Sequence, residues 1–349
     1  MYTYKHIESI IVSISGVYII MKESKLAVQK PFLKWVGGKT QILKTIISNI
    51  PSEINNFHDV FLGGGSVLLA VLSLQKTGDI NINNKIYAYD INRVLINVFK
   101  HIQNNKEELY EHICHYINTY DALDVGLGGD MGDKEKQTNI INRKPKNMEE
   151  AMACKENYYY WVRSKFNSEK MDKDSVECSA IFMFINKTCF RGMYREGPNG
   201  FNVPYGHYKK TPTIITKEDL DYVSDLIQDV EFIHCDFRDA MKNIDKGDFA
   251  YFDPPYAPET KKSFVAYIAE GFSLETHQTL FDNIKNICGG SHEDDDDEGI
   301  KFLLSNANVD IVLNNFKNYN IKNITARRAI NCKNPEATTT EVLIYNYNY

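Results

Sequence analysis

The densest chemistry in the chain is Asp253-Pro254-Pro255-Tyr256, which comes directly after an apolar run, Phe249-Ala-Tyr-Phe252. Consecutive prolines fix the backbone and remove N–H donors, so the run cannot continue a strand ladder past them. A carboxylate at Asp253 and a rigid carbonyl at Pro254 can together accept both hydrogens of one exocyclic amino group. Accepting them favours a tetrahedral nitrogen and supports the positive charge that develops as it attacks an electrophile. Tyr256 adds a flat face on which a planar base can stack. The competing assignment is a proline-stiffened surface turn, which is what a bare Asp-Pro-Pro most often is; the apolar run before it and the tyrosine after it argue otherwise. A second centre is Phe61-Leu-Gly-Gly-Gly-Ser66, where glycines let the backbone approach a ligand closely. A nicotinamide fingerprint fails there because Leu68 stands where its third glycine belongs, and a phosphate loop ending at Gly38-Lys39-Thr40 fails because Leu33 stands where its first belongs. Taken alone, the triple glycine is equally a plain tight turn. Asp90 closes the next apolar run, at the place where Rossmann-like sheets put an acid against ribose hydroxyls. A helix-capping Asp is the alternative.

These residues need a scaffold that brings strand ends together. Apolar runs at Asp59–Leu62, Lys85–Tyr89, Val230–His234, Phe249–Phe252, Lys301–Ser305 and Glu341–Tyr345 predict strands, and Ser66–Leu74 and Asn92–His101 predict helices. Strands alternating with helices predict an α/β fold, a Rossmann-like, mainly parallel sheet with helices on both faces. Such sheets bind ligands beyond the carboxyl ends of their strands. Three of the predicted strands run into an Asp (90, 236 and 253) and one runs into the triple glycine.

The 349 residues allow one large or two modest domains. With 43% hydrophobic and 25% charged residues the chain is neither disordered, collagenous nor a multi-span membrane protein. Its formal charge of −6 is matched by the six acids of Glu293–Glu298, so any basic surface must be local. One such segment exists. Between Asn186 and Lys210 lie Lys187, Arg191, Arg195, Lys209 and Lys210 against the single acid Glu196, with Phe190, Tyr194, Phe201, Tyr205 and Tyr208 interleaved. Glu196-Gly-Pro-Asn-Gly200 is turn chemistry between extended flanks and predicts a β-hairpin. A cationic hairpin with aromatics suits phosphate contacts and groove insertion, although a solvated basic face has the same composition.

Seven scattered cysteines without a Cys-x-x-Cys pair predict reduced, mostly buried thiols and no zinc site. Asp121–Asn147 and Gly289–Gly299 read as long polar loops. Ile7–Met21 is apolar but short for a membrane span, and residues 1–30 are expected to be an extension, with Met21 an alternative start. An intracellular protein that is neither secreted nor membrane-bound is expected.

Taken in order, Phe32-Leu-Lys-Trp-Val-Gly-Gly-Lys39, Phe61-x-Gly-x-Gly65, Asp90-Ile-Asn92, Asn186-Lys-Thr-Cys-Phe-Arg-Gly-Met-Tyr-Arg195, Phe201-Asn-Val-Pro-Tyr-Gly206 and Asp253-Pro-Pro-Tyr256 resemble the class D12, Dam-like, DNA adenine-N6 methyltransferases. The resemblance runs from Pro31 to the carboxyl terminus apart from the two polar loops. It implies S-adenosylmethionine as methyl donor and double-stranded DNA as partner, with no metal. Carried over by motif, Trp35, Gly37, Lys39, Asp90 and Asp253 contact the donor, Phe61, Gly63 and Gly65 shape its pocket, and Asp236 and Phe237 flank its adenine. Asp253, Pro254, Pro255 and Tyr256 form the catalytic segment, acting on an adenine flipped out of the duplex. Residues 31–112 and 230–349 then make the donor-binding catalytic domain. Residues 113–229 make an inserted helical and β-hairpin target-recognition domain.

Within that insert the resemblance assigns DNA contacts to Lys187, Phe190, Arg191, Met193, Arg195, Pro204, Lys209 and Lys210. Arg195 reads a guanine edge, Phe190 intercalates or fills the gap left by the flipped base, and Met193 and Pro204 touch neighbouring bases. Arg191 and Phe190 stand where GATC-reading members commonly carry Asn and often carry Tyr, so the target is expected to be a short adenine-containing palindrome with GATC itself open. A restriction endonuclease partner, if there is one, is expected to be a separate protein. Two readings compete with this one: a methyltransferase acting on another amino group (cytosine N4, an RNA base or a protein glutamine amide), and a DNA-binding relative that has lost catalysis.

Overall fold

The structure, a computed structural model, describes residues 11–14, 17–20, 28–124, 141–258, 272–288, 299–327 and 338–348. The strand–helix alternation builds a seven-stranded sheet from β1 (Phe57–Asp59), β2 (Ile86–Asp90), β3 (Val230–His234), β4 (Phe249–Phe252), β5 (Lys301–Ala307), β6 (Asn320–Arg327) and β7 (Thr338–Tyr345), in the order β6-β7-β5-β4-β1-β2-β3. Strand β7 runs antiparallel to both neighbours and every other pairing is parallel. The chain lays down β1, β2 and β3 outward in one direction, then returns to place β4 on the other side of β1. The order therefore reverses between β1 and β4, and at such a reversal the connections leave to opposite faces and open a crevice at the carboxyl edge.

Side chains alternate across this sheet because successive Cβ atoms point to opposite faces. Phe249, Tyr251, Leu303 and Leu343 join one core; Ala250, Phe252, Phe302, Leu304, Val342 and Ile344 join the other. The first core is covered by α1 (Leu43–Ile47), α2 (Ser66–Thr77), α3 (Arg93–Asn104), α4 (Lys106–Asp121), α5 (Lys155–Phe166), α6 (Val176–Thr188) and α7 (Lys217–Leu226). The second is covered by α8 (Phe237–Ala240), α9 (Leu274–Cys288) and α10 (Asp310–Asn315). With both faces covered, central strands are apolar throughout, as all four residues of β4 are buried.

The expected elements match apart from their bounds. The first strand was expected at Asp59–Leu62, but the ladder ends at Asp59 and Val60–Leu62 bends away while still bonding to both sides: Val60 N–H donates to Tyr251 O (3.0 Å) and Leu62 N–H to Tyr89 O (2.8 Å). Strand β6 had no apolar signal, because it lies at the edge of the sheet with Ile321, Lys322, Asn323 and Thr325 exposed and Ile324 buried. The hairpin is present: Glu196–Gly197 pairs antiparallel with Gly200–Phe201. In the amino-terminal segment Ile11–Ile14 pairs antiparallel with Val17–Ile20. Residues 125–140 of the first polar loop, 289–298 of the second and Cys332 lie outside the described residues. The six described cysteines are free, and Cys154, Cys178 and Cys189 are buried. No described helix is long and apolar enough to cross a membrane.

The entry to β4 is locked by a buried carboxylate. Asp248 accepts hydrogen bonds from Asn55 Nδ2 (3.0 Å), Asn56 N (3.2 Å), Asn56 Nδ2 (2.7 Å) and Asp245 N (3.0 Å), and faces His58 Nε2 at 3.0 Å. Burial holds the His58 imidazole below its usual pKa, so Nε2–H donates to Asp248 and Nδ1 accepts from the Tyr89 hydroxyl (3.2 Å). Asp248→Ala leaves the buried His58 Nε2–H unmatched and loosens the half-buried Asn55 and Asn56. It should cost about 1–3 kcal/mol, read as a lower urea midpoint at unchanged slope.

Candidate active site

Four chain segments meet at the carboxyl edge between β2, β1 and β4. The first is the turn after β1. Gly63 (φ 49°) and Gly65 (φ 72°) adopt left-handed backbone, and Gly65 is the N-cap of α2. Glycine is required for space as well: a Cβ on Gly63 would lie 2.9 Å from Trp35 Cδ1, and one on Gly65 would lie 2.9 Å from Phe99 Cζ. The second is the end of β2. Asp90 accepts Gly63 N–H at Oδ2 (2.9 Å) and Asn92 N–H at Oδ1 (2.8 Å), which fixes the carboxylate in the mouth of the turn. Capping of α3 falls to Asn92, whose side chain accepts Leu95 N–H. A carboxylate has about four lone-pair sites, so Asp90 keeps acceptor capacity for hydroxyls.

The third segment is Trp35–Lys39. Lys39 is 4% exposed and its ammonium lies 2.6 Å from Asp253 Oδ1. The same ammonium donates to Gly37 O (2.7 Å) and sits over one face of the Tyr256 ring, 4.7 Å from its centroid. A planar base stacking on Tyr256 would then use the opposite face. The fourth segment is the turn after β4. Pro254 is buried, the Pro255 carbonyl accepts from His277 Nε2 (2.9 Å), Ala257 N–H donates to Asn306 Oδ1 (3.0 Å), and the Tyr256 hydroxyl donates to Glu341 (2.8 Å). Asp253-Pro-Pro-Tyr256 is thus fastened to α9, β5 and β7.

Burial pushes the Asp253 carboxyl up to about 6, and the Lys39 ammonium opposes the rise. Burial and the fields of Asp253 and Asp90 push Asp59 up to about 8. Asp59, at the end of β1, is 1% exposed and its Oδ1 has no hydrogen-bond partner. The site therefore gathers acidic side chains from three adjacent strands, of which Asp253 is paired with Lys39 and Asp59 is held protonated near neutral pH.

Beside this acid cluster is an apolar wall. Phe61 stacks on Phe237 (5.8 Å) and meets Phe272 edge-on (6.2 Å), and Ile91 is 70% exposed next to Asp90. Asp236 caps α8 by accepting Arg238 N–H (2.9 Å) and pairs with the Arg238 guanidinium (3.0 Å). Trp35, Gly37, Lys39, Phe61, Gly63, Asp90, Phe237, Asp253 and Tyr256 are brought together by these contacts.

The basic segment lies against the Trp35 side of this site. Phe190 is 42% exposed with the Arg191 guanidinium over its ring (5.2 Å), and Arg191 itself has φ 58°. The Phe190 N–H donates to Pro204 O (2.8 Å), and Arg195 Nε donates to Asn202 Oδ1 (2.6 Å) across the hairpin. Arg195, Pro204, Lys209 and Lys210 are exposed and Met193 is half-buried. Lys187 differs from the other cations: it is half-buried, lines a cavity with Lys30, Phe32 and Asp219, and burial lowers its pKa to about 8.

Residues 35–330 match the profile of a family described as D12 class N6 adenine-specific DNA methyltransferase. The chain belongs to that family. Its relatives include the Type II methyltransferase M.MjaIII of Methanocaldococcus jannaschii, 35% identical over 91% of this chain and 99% of that one. The Type II methyltransferase M1.LlaDCHI of Lactococcus lactis subsp. cremoris is 31% identical over 91% and 95%. The DNA adenine methylase of Haemophilus influenzae is 28% identical over 88% and 89%.

The methyltransferase family implies S-adenosylmethionine as methyl donor, and the residues present fit it. The donor is a sulfonium with a ribose and an adenine; the crevice offers carboxylates, a glycine cradle and an apolar wall. Behind the crevice, the buried Asp59 keeps one oxygen without a hydrogen-bond partner. Among the described residues no group of three or more His, Cys, Asp or Glu side chains could hold a metal. Asp59, Ile91 and Phe272 were missed as site residues. Asp59 had a signal in the sequence, as the acid shortly before the glycine turn; Ile91 and Phe272 had none.

Proposed function

We propose that the crevice between β1 and β4 holds S-adenosylmethionine and a flipped adenine side by side, and that residues 186–210 read a short site in duplex DNA. The observation that carries this is the Lys39–Asp253 ion pair, which ties the Trp35–Lys39 loop to the Asp-Pro-Pro-Tyr turn. It makes one site of the glycine turn, the ribose-type acid and the amino-group acceptors.

When bound, the donor supplies a methyl group activated on a sulfonium. Asp90 would accept ribose hydroxyls, and Asp236 and Phe237 would flank the donor's adenine. Asp253 and the Pro254 carbonyl accept the amino hydrogens of the target base, aim its nitrogen and support the charge that builds on it. Tyr256 stacks on the base and excludes water. Because the target nitrogen would take the methyl directly, with S-adenosylhomocysteine as leaving group and one amino proton lost afterwards to solvent, alignment by these fixed groups would supply much of the acceleration. Residues 31–112 and 230–349 serve catalysis, and 113–229 serve recognition. Support for DNA adenine over RNA or cytosine comes from the family match, and the exposed cations and Phe190 around the hairpin suit phosphate contacts and insertion into a duplex.

Methylation sequencing of unmethylated genomic DNA, incubated with the protein and S-adenosylmethionine, tests the proposal: N6-methyladenine should appear at one short motif. Folded protein that binds the donor yet marks no adenine would overturn it. Once the motif is known, Arg195→Ala should relax discrimination at one base pair by about 1–3 kcal/mol while turnover continues. An unchanged site preference would remove Arg195 from the reading set.

A further inference from the structure

Trp35 and Lys34 form a strap between the candidate donor pocket and the DNA-reading segment. On one side the indole abuts the glycine turn, close enough that a Cβ on Gly64 would lie 2.9 Å from Trp35 Cβ. On the other it is stacked by Tyr194 of the reading segment, with ring centroids 5.4 Å apart and planes at 23°. Tyr194 is held in turn by Phe182 (5.7 Å) and Phe201 (5.7 Å), and its hydroxyl donates to Glu196 at the start of the hairpin.

Lys34 is fastened to the same segment. Its N–H donates to Asn186 Oδ1 (3.0 Å) and its carbonyl accepts from Asn186 Nδ2 (2.7 Å). Its ammonium donates to the Tyr208 hydroxyl (3.1 Å). Gly192 (φ 65°) leaves no room for a side chain against Lys34: a Cβ there would lie 2.3 Å from Lys34 Cβ. The contacts that join Phe190–Arg195 to Trp35 thus run through packed rings and the Lys34 backbone, and not through the sheet.

We infer that Tyr194 is a positioning residue for the donor pocket, and that through its stack on Trp35 the donor and the recognised DNA bind interdependently. The inference rests on the proposal that Trp35 and the glycine turn form the donor pocket. Two sites sharing one packed wall cannot be filled independently when either ligand moves the wall, and the coupling must be reciprocal. Tyr194 is suited to this role: an aromatic stack holds an indole plane more tightly than an aliphatic contact, and the hydroxyl ties the ring to the hairpin.

The test is calorimetric titration of S-adenosylhomocysteine into the protein, alone and with a duplex carrying the methylated motif or a scrambled one. Wild type should show a donor-site Kd that the cognate duplex changes at least fivefold and the scrambled duplex does not. In Tyr194→Ala the ratio should fall toward one, with weaker binding in the absence of DNA. Tyr194→Phe keeps the stack and should keep most of the ratio. Tyr194→Leu fills the space left between Phe182 and Phe201 without a flat face, and should behave like Tyr194→Ala while unfolding at nearly the wild-type urea concentration. Wild type that fails to bind S-adenosylhomocysteine would remove the underlying site assignment. Wild type that binds it, with a ratio that Tyr194→Ala and Tyr194→Leu leave intact, would overturn this inference and spare that assignment.

Discussion

Asp253→Asn should reduce methyl transfer by about 10²–10³-fold or more, the usual loss when one preorganised electrostatic partner of a transition state is removed. The substitution keeps the shape of the side chain but replaces an accepting oxygen with an NH2 donor, which faces the amino hydrogens it should accept. DNA affinity should stay within a few-fold of wild type or tighten, since the change removes a negative charge. The sign of the pH effect comes from the same carboxylate. Burial raises it to about 6, and protonation turns one accepting oxygen into a donor and removes the charge that supports the amino nitrogen, so kcat/KM should fall as pH drops through about 6. Lys39 opposes that rise, so Lys39→Met should move the midpoint of the profile upward. Single-turnover transfer across pH 5–8 reads both effects. Intact turnover in Asp253→Asn would refute the role given to this carboxylate.

The sequence carried the catalytic edge of the sheet and much less of its surroundings. Strands β2, β4 and β5 were legible because buried strands are nearly continuous apolar runs, and the edge strand β3 because buried Val230 and Phe232 alternate with exposed Glu231 and His234. Strand β6 was not: at the edge of the sheet it exposes Lys322, Asn323 and Thr325, and a polar edge strand has the composition of a loop. Asp253 and Tyr256 could be read from local chemistry, since prolines between an acid and a tyrosine are informative by themselves. The partnership of Lys39 with Asp253 could not, because the two are far apart in the chain and no local pattern encodes a contact across that distance; the motif resemblance assigned both to the donor but not to each other, and the ion pair emerges only from the fold. Tyr194 shows the limit most clearly. In sequence it is one of five aromatics in a basic segment and invites a role on DNA, whereas in the fold its ring is stacked on Trp35 and turned toward the donor side. The surroundings of a side chain are set by packing, which period and composition do not record.

Gly63→Ala should weaken binding of S-adenosylmethionine by about 10–100-fold, that is about 1.4–2.8 kcal/mol. Two costs combine at this position. The left-handed backbone (φ 49°) penalises any Cβ by about 1–2 kcal/mol. The added methyl would also lie 2.9 Å from Trp35 Cδ1 and 3.1 Å from Nε1, closer than carbon contacts allow, so the indole or the turn must shift. The indole has little freedom to give, since Tyr194 stacks on it. The turn has little either, since the Gly63 N–H is held by Asp90. Misplacement therefore spreads to the carboxylate assigned to the ribose. Gly78→Ala separates the two costs. Gly78 is also left-handed (φ 81°), at the far end of α2, but a Cβ there meets nothing within 4 Å. It should lose about 1 kcal/mol of stability with donor affinity unchanged. Calorimetric titration of both variants with S-adenosylmethionine checks this: equal donor affinities would show that neither the Gly63 backbone nor its contact with Trp35 shapes the donor site.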